Sequence, residues 1–466
     1  MSAVIARGFS WRHAGRARPV LKDVELRIDR GERVLILGRS GAGKSTLLAA
    51  IAGVLGDEED GERTGRLEAP GGPVGMVLQD PDSQVISARV GDDVAFGAEN
   101  LGVPREEIWS RVRRALDTVG LDVPLDHPTE KLSGGQKQRL AVAGVMAMGA
   151  GIIALDEPTA NIDPASVPEL RDAVVRAADA SGATLLVVEH RVEAWAPVVD
   201  RIIVVGDGGI IADGPVETIL STYGDRLRDD GVWVPGPAPE LPMAVPVPAN
   251  ASVAVETDDL SVGYRKSVRD GINITIPQGA STCITGANGA GKSTLALTLG
   301  GLLPPVSGRV VVAEGICEGA RGRRRKADLS SPYSWDSRSL ATRVGSVFQS
   351  PERQFVRSTV RKELLVGADE TRADDLLHRL RLDHLAEANP FTLSGGEKRR
   401  LSVATVLASA PKIVLLDEPT FGQDRRTFTE LIGLLRGLVD EGTTVVSVTH
   451  DPLVVAALGD SVEVLA

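Results

Sequence analysis

Residues 38–46 (GRSGAGKST) and 286–294 (GANGAGKST) carry glycines spaced so that consecutive backbone N–H groups can turn inward on phosphate oxygens. Each stretch follows an apolar run (VLILG, CITG) and opens a helical pattern, which adds the positive end of a helix dipole. Gly38, Ser40, Gly41, Gly43 and Thr46 form the first cradle, and Gly286, Asn288, Gly289, Gly291 and Thr294 the second. Lys44 and Lys292 would bridge the β- and γ-phosphates of a nucleoside triphosphate. The Ser45 and Ser293 hydroxyls would sit on Mg²⁺.

An apolar run ending in Asp-Glu supplies the rest of a hydrolytic site, once in each half. Asp156 and Asp417 are hard oxygen ligands suited to Mg²⁺ through its water shell. Glu157 and Glu418 stand one residue further on, where a general base for an attacking water is needed. His190 and His450 each end another apolar run, 33 or 34 residues after the aspartate, and are read as γ-phosphate contacts. Gln79 and Gln349 follow short apolar runs (GMVLQ, GSVFQ), in reach of the metal or the lytic water. Trp11 and Tyr264 lie upstream of the phosphate loops, where an aromatic ring can stack on a base.

These groups occur twice because the chain repeats itself. KLSGGQKQRL at 131–140 recurs as TLSGGEKRRL at 392–401, and LLVVEH at 185–190 as VVSVTH at 445–450. The offset between copies is 248 at the phosphate-loop lysines, 270 at the glutamines and 261 at both the serine-glycine motifs and the aspartates. The second copy therefore carries 22 additional residues before its glutamine, including the basic run RGRRRK at 321–326, which reads as a solvated, mobile loop or a lipid-headgroup contact. Prolines 235, 237, 239, 242, 246 and 248 make residues 229–254 an extended spacer between domains at 1–228 and 255–466.

Continuous apolar runs predict strands buried on both faces at 34–37, 152–155, 184–188 and 202–205, and at 281–285, 413–416 and 444–448. Between each glutamine and serine-glycine motif the pattern turns helical, at 106–120 and 374–388. The fold class is α/β with an inserted helical subdomain, in tandem. Residues 140–155 are nearly all apolar but too short to span a bilayer, and their glycines divide them into a helix and a strand.

With 42% apolar and 25% charged residues the composition is that of a globular protein, and a net charge of −11 argues against general nucleic-acid binding. Cys283 and Cys317 form no CxxC pair, so neither a disulfide framework nor a zinc site is expected. The first residues lack the apolar core of a secretory signal.

LSGGQ at 132–136 and LSGGE at 393–397, together with the phosphate loops, resemble the ABC ATPase family across both domains. The resemblance implies a P-loop NTPase core, ATP and Mg²⁺ as cofactors, and ATP hydrolysis. It further implies that Ser133, Gly134 and Gly135 cap the γ-phosphate held by the second domain, and Ser394, Gly395 and Gly396 that held by the first, with the two domains pairing within one chain. Asp163 and Asp424 match the family's D-loop. Residues 79–104 and 348–367, with PTFGQD at 419–424, look like the ATPases of energy-coupling factor transporters, importers of vitamins or of cobalt and nickel. That likeness implies a transmembrane T-type coupling subunit and a substrate-binding membrane subunit as partners at the cytoplasmic face of the cell membrane, with Gln84, Arg353 and Gln354 as candidates for lining the docking groove. Twin-ABC ribosome-associated translation factors are the competing class, disfavoured by the short Pro-rich spacer, by PTANID and PTFGQD, and by the acidic charge. A DNA-repair ATPase would need coiled-coil or zinc insertions, which the sequence lacks.

Overall fold

The computed structural model describes residues 1–465 except 15–17, 57–59, 161, 163, 288, 325–326, 349–353 and 394. It divides into two compact units, the first holding residues 1–237 and 424–426, the second 238–423 and 427–466.

In the first unit, β1 (Ser2–His13), β2 (Leu21–Asp29) and β4 (Gly61–Glu68) form an antiparallel sheet in the order β2-β1-β4. Six further strands form the main sheet: β3 (Arg33–Leu37), β5 (Val74–Val77), β6 (Ile152–Asp156), β7 (Thr184–Val188), β8 (Arg201–Gly206) and β9 (Gly209–Pro215). Their order is β5-β6-β7-β3-β8-β9, parallel except for the last pair. The runs are apolar throughout because both faces are covered. Val34, Ile36, Ile152, Ala154, Leu186 and Val188 enter one core, while Leu35, Leu37, Ile153, Leu155, Leu185 and Val187 enter the other.

Between β5 and β6 lie helices Val90–Asn100, Arg105–Val119 and Gly134–Ala147. The middle one buries Ile108, Val112, Ala115, Leu116 and Val119 on one stripe and stops at Gly120, whose φ of 68° a residue with a Cβ rarely adopts. The apolar stretch at 140–155 resolves into the end of one helix and the whole of β6, save its last residue. No helix among the described residues is long and apolar enough to cross a membrane.

The second unit repeats the plan. β10 (Val253–Gly263), β11 (Ser267–Ile272), β12 (Thr275–Pro277) and β14 (Ser307–Val312) form the antiparallel sheet. β13 (Ser281–Gly286), β15 (Val344–Val347), β16 (Ile413–Asp417), β17 (Thr444–Val448) and β18 (Ser461–Leu465) form an all-parallel one, ordered β15-β16-β17-β13-β18. Residues 234–252 hold no helix or strand.

Two expectations change here. The helix expected at 374–388 is Glu370–Arg379 and ends early. Arg381 takes a left-handed φ of 54°, the Leu382 N–H returns to the Leu377 carbonyl at 2.8 Å, and Leu382 is fully buried. Drawing that leucine into the core is what stops the helix. The basic run is also no free loop over its described part. The Arg323 guanidinium lies 4.9 Å from the Tyr333 ring centroid and donates to the Trp335 carbonyl at 2.7 Å. Trp335 is fully buried, with its indole N–H on the Leu329 carbonyl at 2.8 Å. Arg325 and Lys326 lie outside the described residues. Trp335→Ala is expected to destabilise the second unit by about 3–5 kcal/mol, read by urea denaturation followed by far-UV circular dichroism. A shift below about 1 kcal/mol would mean that this insert is dispensable to the core.

Candidate functional site

In the first unit the phosphate loop, Gln79, the Asp156–Glu157 pair and His190 stand at the carboxyl ends of main-sheet strands. β3 runs into the loop 38–43, and the helix Lys44–Ala52 begins at its lysine. Gly38 has φ of 147°, and a Cβ there would lie 2.1 Å from the Val205 carbonyl oxygen of β8. Only glycine lets the loop pass that close. The Lys44 ammonium, 4% exposed, donates to the Gly38 and Arg39 carbonyls at 2.9 and 3.0 Å. Burial pushes it below its ordinary range against the opposing pull of Glu157 and Asp156.

Strands β6 and β7 end beside that loop. The Ser45 hydroxyl donates to the Asp156 carboxylate at 2.9 Å. Burial raises Asp156 to about 6, against the pull of Ser45 and with the Glu157 charge adding to the rise. A hydroxyl and a carboxylate converging in this way are hard oxygen donors of the kind Mg²⁺ takes alongside water. Glu157 adopts a left-handed φ of 47°, held by its N–H on the Val188 carbonyl at 2.8 Å. Strain of this kind persists only where the surroundings enforce it. Its carboxylate meets the His190 Nε2 at 2.8 Å and accepts from the Gln79 amide at 3.0 Å. Burial opposes ionisation of Glu157, but His190 and then Lys44 outweigh it and hold the carboxyl below its usual range.

The second unit assembles the same groups on β13, β16 and β17. Gly286 has φ of 148°, and a Cβ there would meet the Leu465 carbonyl oxygen at 2.3 Å. Lys292 donates to the Gly286 and Ala287 carbonyls at 2.8 and 3.0 Å. Burial raises Asp417 against the pull of the Ser293 hydroxyl, and its Oδ1 is buried without a protein partner, an oxygen a metal-bound water would satisfy. Glu418 has φ of 48°, its N–H on the Val448 carbonyl at 2.9 Å, and His450 Nδ1 at 2.8 Å from its carboxylate. Asn288, Gln349, Arg353 and Ser394, together with Asp163 of the first unit, lie outside the described residues.

Strand register corrects the assignment of Trp11. Ser10 pairs with Thr64, and Ser261 with Ser307, each ahead of a left-handed glycine, Gly65 or Gly308. Trp11 therefore stands where the second unit has Val262, and both are buried, at 3% and 0% exposure. A ring packed in the core offers no face to a base. His13 occupies the position of Tyr264, which is 70% exposed. Alternation along β1 was the signal for this: residues 9 and 11 share the inward face.

Gln84 and Gln354 are both half-buried. The Gln84 amide exchanges bonds with the Leu78 N–H and carbonyl at 2.8 and 3.0 Å, and Gln354 donates to the Ser346 carbonyl at 2.7 Å and accepts from the Ser402 hydroxyl. Both bind back to the chain just after β5 or β15. Apolar side chains are exposed nearby: Ile86 and Phe96 at 61% and 38% in the first unit, Val356 and Val366 at 70% and 57% in the second. These pairs keep the glutamines' repeat offset of 270.

Ser133 caps the helix Gly134–Ala147 in a reciprocal box with Gln136, its oxygen 3.3 Å from the Gln136 N–H and its own N–H donating to the Gln136 side chain at 2.9 Å. In the second unit, helix Gly395–Ala408 begins at Gly395, directly after the motif serine.

The profile described as "ABC transporter" matches residues 21–160 and 269–421. "Putative HMP/thiamine import ATP-binding protein YkoD" of Bacillus subtilis is 34% identical, over 96% of this chain and 87% of its own. A "Putative ABC transporter ATP-binding protein" of Methanosarcina acetivorans is 32% identical, over 96% and 81%. Among solved structures, the complex of archaeal ribosomal stalk protein aP1 and archaeal ribosome recycling factor aABCE1 superposes with a TM-score of 0.61 at 20% identity, covering 98% of this chain and 87% of that one. At that identity the likeness concerns the fold.

The histidine of the second unit gives a test. The hydrogen bond that His450 donates to the Glu418 carboxylate raises it above its ordinary 6.5, although burial opposes it. A folded value above the unfolded one stabilises fully below about pH 6.5 and loses that contribution as pH rises through the folded value. His450→Gln is expected to flatten the fall in stability between about pH 6 and 8, read as urea midpoints at the two ends. Equal slopes in both proteins would show that the pair contributes nothing.

Proposed function

The chain belongs to the ABC transporter family as a tandem ATP-binding protein of an ATP-hydrolysing class, and from that premise we propose that it powers a membrane importer of the energy-coupling factor type, for a vitamin or a transition metal. The observation that carries the hydrolytic reading is the half-buried glutamate–histidine pair at the strand ends of each main sheet, set beside a phosphate loop. In this reading Lys44 and Lys292 hold the β- and γ-phosphates, and Ser45 with Asp156, or Ser293 with Asp417, hold Mg²⁺, which neutralises phosphate charge when bound. Glu157 and Glu418 take the proton of the attacking water. His190 and His450 keep those carboxylates oriented and reach the γ-phosphate. Gln79 and Gln349 sense its departure. His13 and Tyr264 are the base-stacking positions.

Each site is completed by the serine-glycine turn of the other domain: Ser394, Gly395 and Gly396 for the first, Ser133, Gly134 and Gly135 for the second. A second helix N-terminus then adds charge stabilisation that one domain cannot supply. The domains are taken as 1–228 and 255–466, joined by 229–254 and paired within the chain. The exposed Ile86 and Phe96, and Val356 and Val366, are the apolar contacts offered to helices of a transmembrane coupling subunit at the cytoplasmic face of the membrane, beside a separate substrate-binding subunit. The import function in the name of the Bacillus subtilis relative favours this direction of transport. The ribosome-linked reading draws on fold likeness, and the net charge of −11 weighs against it.

The double variant Glu157→Gln, Glu418→Gln is expected to bind ATP yet lose about 10²–10⁴-fold in kcat, measured by phosphate release. Near-normal hydrolysis would remove both glutamates from the chemistry. Ile86→Glu with Phe96→Glu is expected to leave basal hydrolysis within about twofold while abolishing co-purification with co-expressed membrane subunits. Recovery of the wild-type protein with ribosomes instead would overturn the transport reading.

A further inference from the structure

Resting on the site reading above, we propose that Arg399 is a positioning residue of the second ATP site, a buried tether joining the loop that carries Gln349 to the backbone of Glu418. In the first site the glutamine side chain itself makes a link, its amide donating to the Glu157 carboxylate at 3.0 Å, so the two sites are joined to their glutamine loops by different groups. Arg399 is 3% exposed on the helix Gly395–Ala408. Its Nη1 donates to the Phe348 carbonyl at 2.7 Å, the residue just before Gln349, and its Nη2 to the Glu418 carbonyl at 3.1 Å. A planar guanidinium presents a fixed fork of five donors and spans two acceptors that a single amide nitrogen cannot.

The corresponding residue of the first unit, at the offset of 261, is Gln138. It is fully buried and donates to the Leu78 carbonyl at 3.1 Å and weakly to that of Gln79 at 3.5 Å. Among the described residues no bond from it reaches Glu157. The first site instead anchors its catalytic turn from the opposite side. Glu189, 2% exposed, accepts from the Thr159 hydroxyl at 2.5 Å, tying the turn after Glu157 to the strand that carries His190. The second unit has Thr449 there, whose hydroxyl accepts from the Asp451 N–H at 3.1 Å.

The consequence is directional. A displacement of the loop after β15, where Val356 is exposed, is transmitted through Arg399 to the left-handed turn of Glu418. After β5 the same displacement reaches Glu157 through the Gln79 amide, against the Thr159–Glu189 bond that holds the turn from the other strand. The second site is the one in which a buried guanidinium links the loop backbone to the turn of its general base.

The test uses the full chain with and without Mg²⁺ and a non-hydrolysable ATP analogue, read by hydrogen exchange with mass spectrometry. Arg399→Gln gives the second unit the side chain of the first. Exchange in residues 344–357 is expected to rise about fivefold, with β17 and residues 74–87 unchanged. Arg399→Lys, which keeps the charge and several donors, is expected to restore most of the protection. In steady state Arg399→Gln lowers kcat while KM for MgATP stays within about twofold, the mark of a lost orienting interaction rather than lost binding. Unchanged exchange at 344–357, an equal rise in β17, or Arg399→Lys no better than Arg399→Gln would each overturn the proposal. Hydrolysis by the double glutamate variant tests the site reading separately, because exchange at 344–357 does not depend on turnover.

Discussion

Each unit turns on one short stretch of backbone, the residue after the last aspartate of a buried parallel strand, held in a left-handed conformation with its N–H on the neighbouring strand. Glu157 and Glu418 have φ of 47° and 48°, and their N–H groups bind the Val188 and Val448 carbonyls. An ordinary strand would send the aspartate and glutamate to opposite faces. The turn places the glutamate against the histidine that ends the next strand, while the aspartate stays with the phosphate-loop serine. The strain is local and persists because strands on both sides are fully buried.

Sheet order does the remaining work. With β5, β6, β7 and β3 adjacent and parallel, the glutamine, the acidic pair, the histidine and the phosphate loop all emerge on one edge, side by side. Residues far apart in the chain thereby share a cluster without any insertion having to reach across, as expected where ligands bind at the carboxyl ends of parallel strands. The glycine at the head of each phosphate loop is part of the same economy. It allows the loop to graze the carbonyl at the end of the next strand, Val205 or Leu465.

The sequence made this edge legible because both inputs are local. Strands covered on two faces read as unbroken apolar runs, so 184–188 and 444–448 coincide with β7 and β17, and the chemistry sits in short motifs directly after them. What it hid depended on partners distant in the chain. Trp11 suggested base stacking by residue type, whereas strand pairing puts it in the core and brings His13 to the position of Tyr264. The helix after Glu370 ended early because the core claims Leu382, a choice no local propensity encodes.

Duplication explains why the two halves agree in their motif side chains and differ in what supports them. Lysine, serine, aspartate, glutamate and histidine recur without exception, as substitutions there would change the chemistry itself. Their buried supports have drifted: Gln138 against Arg399, Glu189 against Thr449, Ala160 against Phe421, whose ring meets His450 edge-on at 5.8 Å. Even the histidine contact differs, through Nε2 in the first unit and Nδ1 in the second. Such exchanges alter which neighbouring element the catalytic turn is tied to. A tandem chain is free to specialise its two sites in this way, because each copy is always inherited beside the other.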